Sequence, residues 1–437
     1  MGYDISNYEA VYPRYGTMDD MDKLISEVHK RDMKIICDLV INHTSQEHAW
    51  FKESRSSRDN DKADWYIWRD AKIDAEGNRQ PPTNWRSYFS GSAWQWDETR
   101  QQYYLRLFAE GQPDLNWENE QCREAIYQSA VKFWLDKGVD GFRIDTAGLY
   151  SKTYPLKNAP EDPKTPIDGF AYPRDGFVSN GPRIHEFHKE LHEVMAPYDT
   201  MTVGEVGGSS REDTLKYVSA KEKEMDMIFL FNLVDLGSTK GDKFNYRDYT
   251  SKDFKDAVFD QSNFIKGTDA WSTAFIENHD QSRCISRFGD DSTPKLRNIS
   301  GKMLATLQAT LSGTLFVYEG QEIGMTNVPL SWDISEYKDV NTINYWNAFL
   351  KTNPTEQEKD KLKKIINKVC RDNGRTPMLW DDSKNGGFTT GEPWMRANDN
   401  YKEVNAAKER ADPNSIYNYY KKALQIRKEY RDVLVHG

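Results

Sequence analysis

Gly138-Val139-Asp140-Gly141-Phe142-Arg143-Ile144-Asp145-Thr146-Ala147-Gly148 is the stretch on which the fold turns. Three glycines punctuate it, and from Phe142 to Asp145 the side chains alternate as in a strand, so Arg143 and Asp145 share a face. A guanidinium beside a carboxylate favours the ionised acid by charge attraction, even where burial favours the neutral one. An acid held charged at a strand end is a candidate nucleophile. The same pair is also what a buried structural ion pair looks like.

Upstream, Glu120 to Lys137 carries Cys122, Ile126, Ala130, Phe133 and Trp134 at helical spacing, with Gly138 at the C-terminal cap. Earlier still, Thr17 with Asp20 three residues on marks a helix start, and Met21, Leu24, Ile25 and Val28 give that helix one buried face. The apolar run Met33 to Ile41 reads as a strand buried on both sides, opening onto Asn42-His43. From 44 to 113 the periodicity dissolves into charged and aromatic residues broken by Pro81-Pro82 and Gly91, the pattern of a small inserted domain.

Downstream, a loop rich in Pro, Gly and Asp runs from Tyr154 to Gly181, and Pro182 starts a helix with Ile184, Phe187, Leu191 and Val194 inward. Thr200 to Glu205, Met225 to Leu230, Trp271 to Ile276 and Thr314 to Tyr318 read as strands. Helices near Asp213 to Ser219, Ser251 to Phe259 and Leu296 to Leu311 separate them. Gly320 to Asn367 reads as polar and irregular, and Asp412-Pro413 as the cap of a last helix with Ile416, Tyr420, Ala423 and Leu424 inward. Strand and helix in alternation, with long loops after the strands, is the signature of a parallel closed barrel. Roughly six strands are visible where such a barrel needs about eight. A doubly wound sheet tolerates six, but it wants a phosphate-cradling Gly-rich turn that this sequence lacks.

The 437 residues carry a formal net charge of -10 and are 37% hydrophobic, which suits one large domain with insertions. No apolar run reaches membrane-spanning length, and Met1-Gly2-Tyr3-Asp4 has no signal-peptide character, so a soluble, cytoplasmic protein with no membrane partner is expected. Cys37, Cys122, Cys284 and Cys370 are scattered, suggesting neither a zinc site nor a disulfide framework. With no dense Lys/Arg tract, no nucleic-acid partner is expected. The 13 Trp and 24 Tyr offer flat faces that suit sugar rings, though they serve equally in any core.

In a barrel of this kind the catalytic groups occupy the C-terminal strand ends. Those ends are Asp38 with Asn42-His43, Arg143 with Asp145, Glu205, and Asn278-His279-Asp280, so the acids are expected to converge on one rim. Met201, Val203 and Glu205 share a strand face, which aims Glu205 at the pocket of Asp145. Crowded carboxylates are expensive to keep charged together, so one should stay protonated near neutral pH, as a general acid beside an ionised nucleophile must. Two carboxyls in these states are what glycosidic bond cleavage needs, and a separation of roughly 5 Å implies retention through a covalent intermediate.

Asp38-Leu39-Val40-Ile41-Asn42-His43, Gln112-Pro113-Asp114-Leu115-Asn116, Gly141-Phe142-Arg143-Ile144-Asp145, Val203-Gly204-Glu205-Val206 and Glu277-Asn278-His279-Asp280-Gln281 together resemble the motif set of the alpha-amylase family of glycoside hydrolases. Within it the chain is similar to the fungal, yeast-type alpha-glucosidases or maltases over its whole length. The resemblance implies an α/β fold, a TIM (β/α)8-type barrel with the insert as a domain after the third family strand. The implied division is 1–43 and 114–437 for the barrel and 44–113 for the insert. It implies Asp145 as nucleophile, Glu205 as acid/base and Asp280 as the acid that fixes sugar hydroxyls. Around the substrate it implies Tyr3, His43, Arg143, His279 and Gln281, with Arg371 at the closed end of the pocket and Phe89 and Phe108 among its aromatics. Thr146 and Val206-Gly207 resemble the alpha-1,4-acting members, whereas alpha-1,6-acting ones tend to carry Val after the nucleophile. Maltose, short maltooligosaccharides and sucrose are the expected substrates. The alternatives are an alpha-1,6-glucosidase or isomerising relative and, from another class, a catalytically silent family-like subunit.

Relatives begin with a strand, a helix and a second strand before the Gly2-Tyr3-Asp4-Ile5 stretch and continue past the counterpart of Gly437 into a β-sandwich. The barrel is therefore expected to be incomplete, its first βαβ unit missing and the β-sandwich absent, with little activity in this polypeptide alone. No cofactor is expected, and a structural calcium site would lie in the missing N-terminal segment. Asp38 is expected to support the site, Glu277 and Glu322 to be structural, and His185, His188 and His192 to form a solvated helix face rather than a metal site.

Overall fold

A computed structural model of the chain describes residues 2–160, 168–173, 176–207, 210–238 and 242–436. Met1, Gly437 and parts of the Tyr154 to Gly181 loop lie outside the described residues. The chain forms two compact units, Met1–Phe229 with Gly267–Trp271, and Leu230–Lys266 with Ser272–Gly437.

The first unit is built on a parallel sheet in the order Cys37–Leu39, Gly141–Ile144, Met201–Glu205, Met227–Phe229. Asp140 ties its foot: the carboxylate accepts from the Ile35 backbone N–H at 2.9 Å and from Lys34 Nζ at 2.9 Å, and lies 2.8 Å from His29 Nε2. That clamp fixes the register in which Asp38 stands opposite Arg143 and Arg143 opposite Val203. Gly141 starts the central strand at φ 147°, and a Cβ there would fall on the Met201 carbonyl oxygen, so the close approach of these two strands requires glycine.

The helix expected over Glu120 to Lys137 is present with a wide turn inside it. Helical Glu120–Ile126 passes into a π segment, Tyr127–Lys132, before Phe133–Asp136. The extra residue per turn lets Tyr127, Ala130 and Val131 all face inward. Gly138, at φ 95°, ends the helix as expected. Thr17 and Asp20 form a capping box, yet only Ile25 of the following helix is fully buried and Leu24 is exposed. The run Met33 to Ile41 is a correction. Only Cys37–Leu39 is strand, Met33 is exposed, and the strand alternates half-buried, exposed, buried, because it lies at the edge of the four-stranded sheet.

Residues 44–113 hold the Ala49–Ser56 helix and an antiparallel sheet of Trp68–Arg69, Gln102–Leu105 and Trp94–Asp97. Ile67, Trp85, Trp94, Leu105 and Leu107 are buried in one cluster with Leu149 and Val178. Aromatics of this stretch thus form its core, as composition alone favours.

In the second unit Thr273–Ala274 pairs in parallel with Thr314–Leu315, giving six parallel strands among the described residues. The Pro294–Thr310 helix packs with Ile416–Glu429 through Leu304, Ala305, Ile416 and Tyr420. Leu424, expected inward, is exposed, and Ser415 caps this helix in place of Asp412. The segment expected to be irregular, Gly320 to Asn367, contains the helices Val340–Leu350 and Glu356–Val369. Asp339 caps the first, and a Thr355/Glu358 box caps the second, so the start signals are in the sequence. No described helix is long and apolar enough to cross a membrane.

Gly141→Ala is expected to destabilise the fold by about 3 kcal/mol or more, because the added methyl must displace strand backbone. Thermal melting against wild type checks this; an unchanged Tm would mean that the strands can separate freely there.

Candidate active site

Strand alternation carries Arg143 and Asp145 to one face, and parallel pairing brings Glu205 beside them. The Arg143 fork joins both acids, Nη1 donating to Asp145 Oδ1 and Nη2 to Glu205 Oε2. Nη1 also donates to Asp38 Oδ1 at 2.9 Å, and the Tyr3 hydroxyl donates to Asp38 Oδ2 at 2.8 Å. Asp38 is therefore the support that the sequence suggests, holding Arg143 and Tyr3 from behind.

One positive charge faces three carboxyls here. Burial opposes a charge on Arg143, but Glu205, Asp145 and Asp38 together hold its guanidinium protonated well above the ordinary range. For Asp145 the balance runs the other way. Burial raises its pKa well above the usual carboxylate range; Arg143 counters this, while Glu205 and Asp38 add to it. The sequence reading gave Asp145 the charge and Glu205 the proton, whereas the structure places the strongest burial penalty on Asp145.

Behind Asp145 the chain turns sharply. Thr146 takes the left-handed conformation at φ 44°, unfavourable for a β-branched residue, and its hydroxyl lies 3.3 Å from Asp145 Oδ2. The turn is held by its carbonyls: Tyr150 Oη donates to that of Asp145 at 2.9 Å, and His188 Nε2 lies 2.8 Å from that of Ala147. His188 is thus fully buried behind the site, a correction to the expected solvated face. Its neighbour His185 is bound to the buried Glu224 at 2.9 Å, and no metal-holding group exists among the described residues.

An aromatic wall lines the same unit. His43 packs against Phe108 at 5.2 Å between ring centroids, Phe89 against Phe108 at 5.6 Å, and Tyr88 stacks on Phe108 at 5.2 Å. His43 is buried, and burial lowers its pKa against the pull of Asp114, Asp4 and the Tyr3 backbone, so the ring is neutral.

The second unit holds a cationic nest around Asp280. Arg375 Nη2 lies 2.5 Å from Asp280 Oδ1, Arg371 Nη2 3.5 Å from Oδ2, and His279 Nε2 3.6 Å from Oδ1. Lys243 donates to the Asp280 carbonyl at 3.0 Å. Burial disfavours the Asp280 charge, but Arg371, His279, Arg375 and Lys243 outweigh it and hold the carboxyl well below the usual range. Lys243 itself is lowered to about 8 by burial and by Arg371. Arg375 and Lys243 are residues that sequence reasoning passed over. Arg375 stands four residues after Arg371, which was a usable signal; Lys243 lies in a loop with none. Gln281 is engaged at both ends, donating to Asp235 at 3.2 Å and accepting from Arg287 at 2.7 Å, so it buttresses this loop. Glu277 is structural as expected, fully buried with Arg283 at 2.7 Å, and Glu322 accepts from the Gly320 backbone.

The "Alpha amylase, catalytic domain" family matches residues 1–437. The chain belongs to the alpha-amylase family. It is 60% identical to an alpha-glucosidase of Candida albicans over 442 residues, covering 100% of this chain and 77% of that protein. It is 49% identical to an oligo-1,6-glucosidase of Saccharomyces cerevisiae over 451 residues, covering 100% and 75%. Among solved structures, an isomaltulose synthase of Erwinia rhapontici superposes with a TM-score of 0.91 at 39% identity, covering 100% and 75%. The fold is thus that of a TIM-barrel catalytic domain, and the protein is a glycoside hydrolase.

Because the folded state raises the Asp145 pKa, the group takes stability away as pH rises from about 4 through its folded value. Asp145→Asn is therefore expected to raise Tm at pH 7 while lowering kcat by about 10⁴-fold or more. Paired melting and rate measurements check both signs; a lower Tm would show that Arg143 outweighs burial.

Proposed function

We propose that the protein is a retaining alpha-glucosidase that releases terminal alpha-1,4-linked glucose from maltose, short maltooligosaccharides and sucrose. The observation that carries the proposal is the Arg143 fork shared by Asp145 and Glu205. One planar guanidinium bonded to both carboxyls keeps them close to each other, which supports double displacement, a mechanism that works with a carboxyl separation of about 5 Å. Asp145 attacks the anomeric carbon, and Glu205, as general acid, protonates the departing oxygen. Glu205 then deprotonates the water that frees the glucosyl group. Asp280, kept ionised by its nest of cations, accepts hydrogen bonds from sugar hydroxyls, with His279 and Arg371 beside it. His43, Phe89, Phe108 and Tyr3 form the wall for the first glucose. Gln281 acts through the loop.

Linkage preference follows from Thr146. Its hydroxyl stands beside the nucleophile where alpha-1,6-acting relatives tend to carry a methyl, a difference of about 1 to 3 kcal/mol, or 10- to 200-fold in rate. The oligo-1,6-glucosidase and isomaltulose synthase relatives favour a second reading, hydrolysis of alpha-1,6 linkages or isomerisation of sucrose. Comparing kcat/KM on maltose and isomaltose decides between them. Maltose is expected to be cleaved at least about tenfold faster; isomaltose cleaved faster, or isomerised sucrose as the main product, would overturn the assignment.

A further inference from the structure

Lys152 is a buried cation for which the mechanism has no use. Its side chain is 1% exposed, and its ammonium makes three bonds: to Asp114 Oδ2 at 3.0 Å, to Asn42 Oδ1 at 3.0 Å and to the Leu149 carbonyl at 2.7 Å. Asp114 is fully buried, and its other oxygen accepts from the Leu107 backbone at 3.0 Å. Such a pair could simply staple the 44–113 stretch to the strand ends, since breaking a buried ion pair leaves a costly uncompensated charge. The Asn42 amide gives it a further consequence.

An ammonium has only donors, so the Asn42 atom facing Lys152 must be the oxygen. The amide nitrogen is thereby turned the other way, with one hydrogen toward Asp114 Oδ2 at 3.3 Å and the other toward His43 Nδ1 at 3.3 Å. Nδ1 of His43 is then an acceptor, and in a neutral ring the proton must sit on Nε2. That Nε2 is buried without a partner of full hydrogen-bonding geometry, although the Tyr3 backbone lies near enough to the ring to act on it. A buried donor so weakly paired gains from a ligand atom that completes it.

We infer that Lys152 is a positioning residue which, through the Asn42 amide, fixes His43 in the Nε2–H tautomer so that its ring donates a hydrogen bond to a sugar hydroxyl. The tautomer follows from the protein's own bonds; only its effect on rate rests on His43 contacting substrate as proposed above. Asn42→Asp is the nearly isosteric test. It puts a carboxylate oxygen opposite Nδ1, which then has to carry the proton, and turns Nε2 from donor to acceptor.

Selective ¹⁵N labelling of the eight histidines, with His43 assigned by its loss in His43→Gln, reads the tautomer directly. Wild type is expected to show Nε2–H, and Asn42→Asp to move the proton to Nδ1 and lower kcat/KM on maltose by about tenfold or more. A wild-type ring protonated on Nδ1, or a tautomer unmoved in Asn42→Asp, would overturn the inference, and the first of these needs no variant to fold. Nε2–H in a protein that does not cleave maltose would instead remove the proposed activity and leave the relay standing. Lys152→Met leaves only Asp114 to orient the Asn42 amide and is expected to lower the Nε2–H share of the ring; an unchanged share would count against the relay.

Discussion

One guanidinium holds the first unit's site together. Arg143 reaches Asp38, Asp145 and Glu205 from the centre of a parallel sheet, and each acid sits on a different strand or strand end. The sheet can bring these acids together only because the cation is there, and the cation is tolerated in a half-buried position only because the acids surround it. Burial pushes the Asp145 carboxyl well above the usual carboxylate range although Arg143 counters it, and Arg143 is held charged by the acids around it.

Around this centre the backbone is fixed by partners that never meet the sugar. Tyr150 and His188 hold carbonyls of the strained turn at Thr146, and Tyr150 itself stacks on Trp117 at 4.4 Å. Strain at a residue next to a reacting group persists only where the surroundings over-determine it. The Lys152, Asn42 and His43 chain orients a ring by the same means, with a buried charge that dictates the direction of one amide. In the second unit the logic is inverted. Asp280 is outnumbered by cations, so its carboxyl stays ionised at any pH at which the enzyme works.

Much of this was legible in the sequence. The six parallel strands, the acids at their ends, the Gly138 cap and the structural role of Glu277 all follow from period-two alternation, apolar runs and spacing. What was not legible depended on tertiary context. The run Met33 to Ile41 is apolar enough for a doubly buried strand, but its place at a sheet edge leaves Met33 exposed. Helix Glu356–Val369 was hidden by its polar composition and Val340–Leu350 by the lack of a buried apolar stripe, Thr342 being its one fully buried residue, although both caps were present. His188 shares its helix with charged residues, and only the buried carbonyl of Ala147 explains why it turns inward. Charge states could not be read at all from order along the chain. Asp145 and Asp280 both stand beside arginines, and burial and neighbours push them in opposite directions.

The most direct test of the account is to trap the covalent intermediate. A Glu205→Gln variant given alpha-glucosyl fluoride, which needs no acid to leave, should accumulate a glucosyl group that peptide mass mapping finds on the Asp145 carboxylate. A label on any other residue, or release of beta-glucose with no adduct formed, would contradict the assignment of Asp145 and Glu205 as nucleophile and acid/base.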